Sequence, residues 1–224
     1  MNGKLVIFDL DGTLLNTIGD LAHAANHCLE SHGLPCHDEL EYKRMAGHGM
    51  RHLVTAALPE KHREPHFIDG FLSEFLEYYL ENIDRRTFPY PGIPELLESL
   101  QDEGFSIAVA SNKIQDGAEK LMKRFFPDIR FSGIMGNRAG LPLKPDAAVV
   151  RLLMDKAAVS PEAAIMVGDS PTDIQTARNA GIDCIAVSWG FRSYDELSGA
   201  GAIVGTAGEL GAAIREHRWK SGAI

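Results

Sequence analysis

The chain has 224 residues, a formal net charge of −9 and a hydrophobic content of 45%. This length and composition are typical of a globular protein with a full core, and they argue against disorder. The negative charge excludes nucleic acid as an expected partner, because binding a phosphate backbone needs clustered Lys and Arg side chains. No run reaches the roughly 18 apolar residues of a membrane span, so we expect no membrane association.

The three cysteines, Cys28, Cys36 and Cys184, are far apart and form no Cys-x-x-Cys pair. The apolar run near the amino terminus is too short for a signal peptide and is soon interrupted by acids. We therefore expect free thiols and a cytoplasmic location. The sequence does not indicate an oligomeric state.

Short apolar runs predict five strands and a weaker sixth, most of them followed by an amphipathic helix. The strands are expected at residues 4–10, 105–110, 129–135, 163–167, 183–187 and 202–204, and helices at 93–103, 147–157, 172–180 and 207–215. This alternation is typical of a parallel sheet covered on both faces. We predict an α/β fold whose core is a doubly wound, Rossmann-like parallel sheet.

Residues 15–88 have helical periodicity and no convincing strand. A segment of this length between two strands is too long for a loop. We therefore predict an all-helical cap domain at residues 15–88, inserted into a catalytic core formed by residues 1–14 and 89–224. Two connections in a narrow neck, the second at the turn Phe-Pro-Tyr-Pro-Gly, indicate a lid that hinges over the strand ends.

Polar side chains follow the predicted strands at the edge where a parallel sheet binds its ligand. They are Asp9 and Asp11 after strand one, Ser111, Asn112 and Lys113 after strand two, Asp169 and Asp173 after strand four, and Lys144 before Pro145 at a predicted helix start. Residues two apart in an extended chain face the same side, so Asp9 and Asp11 are both aimed into one crevice.

Four acids at neighbouring strand ends repel each other unless a cation lies between them. Mg²⁺ suits a site that combines a few carboxylates, waters and a substrate phosphate oxygen. Lys144 and Ser111 would supply a positive charge and a hydroxyl donor for the remaining phosphate oxygens. One carboxylate of the first pair would attack phosphorus, and the other would exchange protons with the leaving oxygen and the attacking water.

Four ordered segments, Phe-Asp-Leu-Asp-Gly-Thr-Leu-Leu, Ser-Asn-Lys, Lys-Pro and Gly-Asp-Ser-Pro-Thr-Asp, resemble the motifs of the haloacid dehalogenase-like phosphatase superfamily. The resemblance spans residues 5 to about 190 and implies a Mg²⁺-dependent phosphatase that forms an aspartyl-phosphate. The resemblance implies that Asp9 is the nucleophile and Asp11 the acid/base. It also implies that Mg²⁺ is held by Asp9, by the backbone carbonyl of Asp11 and by Asp169, with Asp173 supporting the metal site. The phosphate-binding residues that it implies are Thr13, Ser111, Asn112 and Lys144. An acid at position 11 favours a phosphatase over a dehalogenase.

Position 16 departs from the family pattern, because Asn16 stands where members usually carry Asp, before Thr17. Asn caps helices as well as Asp does, so we expect Asn16 to keep a structural role at the start of the first cap helix. The substitution bears on the geometry of the hinge rather than on the chemistry.

The segment Ala-Gly-His-Gly-Met-Arg-His-Leu at residues 46–53 resembles the cap loop of phosphoglycolate phosphatase-like members, and Ser-Trp-Gly-Phe at 188–191 resembles their segment after the last main strand. The resemblance implies that Gly47, His48 and Arg51 contact the organic tail of a small phosphorylated metabolite. Arg51, His48 and Arg44 would be candidates to bind a carboxylate. The leading substrate is therefore 2-phosphoglycolate.

Other interpretations stay open at this level. A nucleoside monophosphate, pyrophosphate or a sugar phosphate is a possible substrate, because the fold does not set the pocket for the tail. A phosphosugar mutase of the same superfamily would use the same aspartyl-phosphate, and a catalytically silent binding module would keep only the fold. Ser170, directly before Pro171, is expected to cap a helix rather than to belong to the site.

Overall fold

The computed structural model describes residues 3–219, which form a parallel sheet flanked by helices and a helical insertion. In chain order the elements are β1 (Leu5–Phe8), β2 (Leu15–Asn16), α1 (Ile18–Ser31), α2 (Glu39–Met45), α3 (Met50–Ala57), α4 (Pro65–Asn82), β3 (Phe88–Pro89), α5 (Ile93–Asp102), β4 (Ser106–Ile114), α6 (Gln115–Phe125), β5 (Phe131–Asn137), α7 (Ala148–Ala157), β6 (Ala164–Gly168), α8 (Pro171–Ala180), β7 (Asp183–Val187), β8 (Ala202–Val204) and α9 (Ala207–Glu216). In this part of the chain no helix has both the length and the apolar character needed to cross a membrane.

The main sheet has six parallel strands in the order β5-β4-β1-β6-β7-β8. β1 lies in the middle, with Phe8 opposite Val109 on one side and Val167 on the other. The strand order reverses at β1, so a crevice forms beyond its carboxyl end, where an open sheet of this kind binds its ligand. The doubly wound α/β fold is confirmed.

Side chains of β1 alternate between two buried cores, one on each face of the sheet. Val6 and Phe8 belong to the larger core, which also includes apolar residues of α5, α6, α9 and the inserted helices. Leu5 and Ile7 belong to the second core, with residues of α7 and α8. This two-residue period, with both faces apolar, explains why β1 is an uninterrupted hydrophobic run in the sequence.

Helices α1 to α4 form the insertion, and its two connections to the core pair as a short antiparallel ladder of β2 and β3. Asp20, buried at the start of α1, accepts hydrogen bonds from the backbone N–H of Arg86 (2.9 and 3.0 Å) and from the backbone and hydroxyl of Thr87 (2.8 Å each). The outgoing and returning chains are therefore tied together. The boundaries at 14/15 and 88/89 fall in this ladder, and we retain the division into core and cap as a proposal.

Two helix starts differ from the sequence-based expectation. α1 begins at Ile18 after Thr17, so Asn16 lies one residue before the cap position, and its Oδ1 accepts a 3.4 Å hydrogen bond from the Ile18 N–H. α7 begins at Ala148, so Lys144 and Pro145 lie in a turn that precedes the helix. This turn leaves Lys144 free to point along the strand ends.

Candidate active site

Asp9 follows β1 directly and is held at the centre of the sheet, because its backbone N–H donates to the Val167 carbonyl at 2.8 Å. Its side chain is buried, with 11% exposed. The chain then turns at Gly12, whose φ of +86° favours glycine. A Cβ at Gly12 would lie 2.3 Å from Asp169 Oδ2, so the missing side chain lets the first and fourth motifs meet.

Asp9 is one of three buried carboxylates that meet at the strand ends. Ligand oxygens of Asp9, Asp169 and Asp173 all lie within 4.8 Å of one another. Lys144 Nζ lies 2.8 Å from Asp9 Oδ1 and 2.6 Å from Asp173 Oδ1. When the carboxyls are ionised, one ammonium among three carboxylates leaves an excess of negative charge in a buried site.

The excess charge shows in the pKa values of the carboxyls. Burial raises the pKa of Asp9 to about 7, with Lys144 opposing the rise and Asp173 adding to it. Burial, followed by the charges of Asp173 and Asp9, raises the pKa of Asp169 well above its ordinary value. Asp9 Oδ1 is buried and receives no properly directed hydrogen bond, although Lys144 Nζ is close. These oxygens fit a hard divalent cation, which would satisfy the orphaned oxygen and favour the ionised forms.

Asp11 lies outside that carboxylate cluster and has its own partners. Its Oδ1 accepts from Lys113 Nζ at 2.8 Å and from the Thr17 hydroxyl at 2.7 Å. Lys113 is fully buried and also donates to the Tyr79 hydroxyl at 2.5 Å. Asp11 is therefore fixed by one side chain from the core and by residues of the insertion. Neither Lys113, although it belongs to the Ser-Asn-Lys motif, nor Tyr79 was predicted from the sequence to have a role in the site.

The predicted phosphate-binding residues have distinct surroundings. Asn112 donates its amide hydrogens to the carbonyls of Gly47 and Lys144 (3.0 Å each) and accepts from the Lys144 N–H at 2.8 Å, so it positions Lys144 and contacts the insertion. Ser111 accepts from the Lys113 N–H at 3.2 Å, which leaves its hydroxyl hydrogen available. The Thr13 hydroxyl points to Asp169 Oδ1 at 3.4 Å.

Asp169 and Asp173 are positioned by neighbouring backbone. Asp169 Oδ2 accepts from the Phe191 N–H at 2.7 Å, and a Cβ at Gly190 would lie 2.3 Å from the Asp169 side chain. Asp173 accepts from the N–H and the hydroxyl of Ser170 at 3.1 and 2.6 Å. Ser170 caps α8 in a capping box, as predicted from its place before Pro171.

A narrow cavity of about 30 Å³ lies between the strand ends and the insertion. The core lines it with Asp9, Asp11, Ser111, Asn112, Lys113, Lys144, Asp169 and Ser170, and the insertion with Leu21, Ala46, Gly47, Gly49, Met50 and Leu53. Ser170, which was predicted only to cap a helix, therefore also faces the cavity. Only a few waters fit in this volume. The space beside the strand ends is therefore small for a substrate with an organic tail.

Only one of the three residues predicted to contact the substrate tail lines the cavity. Gly47 lines the cavity, whereas His48 and Arg51 are not among its lining residues. Arg51 pairs with Asp69 and is half exposed, and the His48 ring packs against His52 with centroids 5.0 Å apart. α3 turns Met50 and Leu53 inward, so position 51 points away from the strand ends. The segment after β7 supplies two lining residues that the sequence analysis did not select, Phe191 and Arg192.

The fold and these strand-end residues define a hydrolase class. The model of the haloacid dehalogenase-like hydrolase family matches residues 6–187, and the chain belongs to this family. Relatives include the phosphoglycolate phosphatases of Mesorhizobium japonicum, 34% identical over 193 residues (85% of each chain), and of Aquifex aeolicus, 32% identical over 188 residues (84% of this chain and 86% of the relative). Because the family is one of hydrolases and these relatives are phosphatases, the chain is a phosphoric monoester hydrolase.

Solved structures agree with this assignment. A crystal structure from Lactobacillus delbrueckii subsp. bulgaricus, assigned by prediction as a phosphoglycolate phosphatase, superposes with a TM-score of 0.88 at 32% identity. The match covers 96% of this chain and 99% of that one. The superposition therefore covers the inserted helices as well as the sheet.

Proposed function

We propose that the protein is a Mg²⁺-dependent phosphatase that hydrolyses a small phosphomonoester through a phosphoester on Asp9, with 2-phosphoglycolate as the leading substrate. The observation that carries the proposal is the buried group of Asp9, Asp169 and Asp173 around Lys144. Asp9, Asp169 and Lys144 line the same cavity as Asp11. Phosphoglycolate leads because relatives of that activity match over most of their length.

In the first step a carboxylate oxygen of Asp9 attacks phosphorus, the bond between phosphorus and the leaving oxygen breaks, and Asp11 donates a proton to that oxygen. Lys144 and the Ser111 hydroxyl would contact the phosphoryl oxygens as charge shifts onto them. Asp9, Asp169 and the backbone carbonyl of Asp11 would hold Mg²⁺, which would supply positive charge to the phosphoryl oxygens and keep Asp9 ionised. The product alcohol then leaves.

In the second step Asp11 takes a proton from a water that attacks phosphorus. The bond between phosphorus and the Asp9 oxygen breaks, inorganic phosphate forms and the Asp9 carboxylate is restored. Lys113 and Thr17 both bond Asp11 Oδ1, which leaves Oδ2 for these proton transfers. Closure of the insertion during the first step would exclude water and prevent early hydrolysis.

A phosphate-release screen tests the proposal. It compares 2-phosphoglycolate, nucleoside monophosphates, pyrophosphate and sugar phosphates, each with Mg²⁺ and with a chelator. We expect phosphate release that needs Mg²⁺ and is fastest with 2-phosphoglycolate. Turnover of sugar phosphates through a sugar bisphosphate would indicate a mutase, and inactivity across the panel would indicate a silent binding module.

A cytoplasmic location is part of the proposal. It is supported by three cysteines that are all free thiols, of which Cys28 and Cys184 are buried. Free thiols fit a reducing compartment.

A further inference from the structure

Arg192 joins the core to the insertion at the edge of the cavity. Its guanidinium donates to the carbonyl of Lys43 and, at 2.5 Å, to that of Ala46, both at the carboxyl end of α2. The side chain is only 11% exposed. These two hydrogen bonds, to fixed backbone acceptors, hold the guanidinium in one orientation beside the cavity that it lines.

The charge of Arg192 is less neutralised than that of the other cations lining the cavity. Lys113 lies 2.8 Å from Asp11, and Lys144 lies within 2.8 Å of both Asp9 and Asp173. The ion-pair partner of Arg192 is Glu196, 3.9 Å away and 49% exposed, where solvent weakens the attraction. A second anion in the cavity would therefore be attracted to Arg192 first.

The insertion side of the cavity, together with Phe191 next to Arg192 in the chain, offers an anion little else. Leu21, Met50, Leu53 and Phe191 line the cavity with apolar side chains. A carboxylate moved from water to such a wall loses solvation and needs a charged partner. A guanidinium has five N–H donors in a planar fork that matches a carboxylate, and two carbonyl bonds leave donors unused.

We propose that Arg192 recognises a carboxylate on the organic tail of the substrate, and that the Lys43 and Ala46 carbonyls hold it in place for this. The inference rests on the proposed phosphatase function and assigns tail recognition to Arg192 rather than to Arg51 or His48. Because the two carbonyls belong to the insertion, the closed position of α2 and the orientation of Arg192 depend on each other.

Binding of two unreactive phosphonates tests this assignment without turnover. Phosphonoacetate carries a tail carboxylate, and ethylphosphonate has a methyl group in its place. Calorimetry with Mg²⁺ gives both dissociation constants for the wild type and for Arg192→Gln. We expect the wild type to prefer phosphonoacetate, and the variant to lose about tenfold or more of that preference, the range for a hydrogen bond to a charged group.

Arg178→Gln is the matched control, because Arg178 is exposed and also donates to a backbone carbonyl, that of Gly199 at 3.5 Å. It should keep the preference of the wild type. Equal weakening of both phosphonates by Arg192→Gln would reduce Arg192 to a structural contact and overturn the proposal. Loss of the preference in Arg51→Gln instead, or no preference in the wild type, would also overturn it.

The two proposals fail in different ways. If the wild type prefers phosphonoacetate through Arg192 but releases no phosphate from any phosphomonoester, the proposed function fails and tail recognition stands. If phosphate release is normal and the phosphonate preference is independent of Arg192, only the recognition assignment fails.

Discussion

At the residue scale, Asp9 and Asp11 have different hydrogen-bond and ion-pair partners, although they are only two positions apart. Asp9 lies in an acidic cluster with a raised pKa, whereas Asp11 pairs with the buried ammonium of Lys113. Two neighbouring carboxylates thus have different environments, which suits the different roles proposed for them. Tyr79 completes the network by accepting from Lys113.

Removing the Lys113 charge should slow turnover more than it weakens substrate binding. We expect Lys113→Met to lower kcat by about a hundredfold with little change in KM, since Asp11 loses the partner that orients it. Tyr79→Phe should lower kcat by about threefold to tenfold, because one donor of Lys113 is left unpaired.

Steady-state kinetics on 2-phosphoglycolate measure these effects, with the exposed Lys123→Met as the matched control. A rise in KM at constant kcat would assign Lys113 to substrate binding and refute the positioning role.

Sequence analysis could place Asp9, Ser111 and Asp169 at strand ends because strand order and polarity are local properties. It could not find the contacts of Tyr79 with Lys113, or of Arg192 with Ala46, because these pairs are 34 and 146 positions apart. They meet only once the insertion packs over the sheet. The prediction for Arg51 relied on a short local resemblance. In the structure Met50 and Leu53 of α3 face the cavity, and the Arg51 side chain does not line it.

At the scale of the elements, the neck between core and insertion is built from a two-residue ladder and one buried carboxylate. β2 and β3 pair at Leu15 with Pro89 and at Asn16 with Phe88. Asp20 then accepts from the backbone of residues 86 and 87. We expect the insertion to pivot at this neck, and its other contacts with the core, such as Asn112 with Gly47 and Arg192 with Ala46, would have to open when it does.

Asp20→Asn should loosen this neck. An amide has one acceptor oxygen, and its nitrogen donates. Either the Arg86 N–H loses one of its two acceptor oxygens and faces an NH₂ group, or the N–H and hydroxyl of Thr87 lose theirs. We expect the free energy of unfolding to fall by about 1–3 kcal/mol, measured by urea denaturation. Hydrogen exchange at residues 86 and 87 should also accelerate.

The exposed Asp128→Asn is the control and should change neither quantity. Unchanged exchange at residues 86 and 87 in Asp20→Asn would mean that the ladder alone fixes the neck.

Most of the main strands and helices could be predicted from their apolar periodicity, with ends within a few residues. β4 runs to Ile114, four residues beyond its predicted end, because Ser111, Asn112 and Lys113 are polar and nevertheless buried. The strands of the neck were missed, since two residues are too few to show alternation.

At the scale of the whole molecule, a closed insertion over a negatively charged centre couples folding to metal and protons. Between the ordinary carboxyl pKa of about 4 and the value of about 7 for Asp9, the metal-free folded protein binds more protons than the unfolded chain. Its stability therefore falls as pH rises through this window. Asp169, whose pKa is also raised, acts in the same direction.

Mg²⁺ should reverse this trend. A cation that replaces bound protons stabilises the folded state more where those protons have left, so the increase in Tm on adding Mg²⁺ should be larger at pH 8 than at pH 5. Thermal unfolding with Mg²⁺ and with a chelator measures it.

Asp169→Asn should lose most of the increase at pH 8. An increase of the same size at both pH values would contradict metal binding at this cluster.

The doubly wound core and the inserted helices could be predicted from the order of strands along the chain. The cavity between the sheet and the insertion could not be predicted, because its wall combines residues of α1, α3 and the segment after β7. Which insertion side chains face the sheet depends on helix rotation, which the sequence pattern does not resolve at the necessary precision.

The central claim is that Asp9 carries the phosphoryl group during turnover, and acid quenching followed by peptide mass spectrometry tests it most directly. With 2-phosphoglycolate and Mg²⁺, we expect a phosphoryl group on the peptide that contains Asp9 in the wild type. In Asp9→Asn both the modified peptide and phosphate release should be lost while the fold persists. Phosphate release at the wild-type rate by Asp9→Asn, or a phosphoryl group on another residue, would contradict the account.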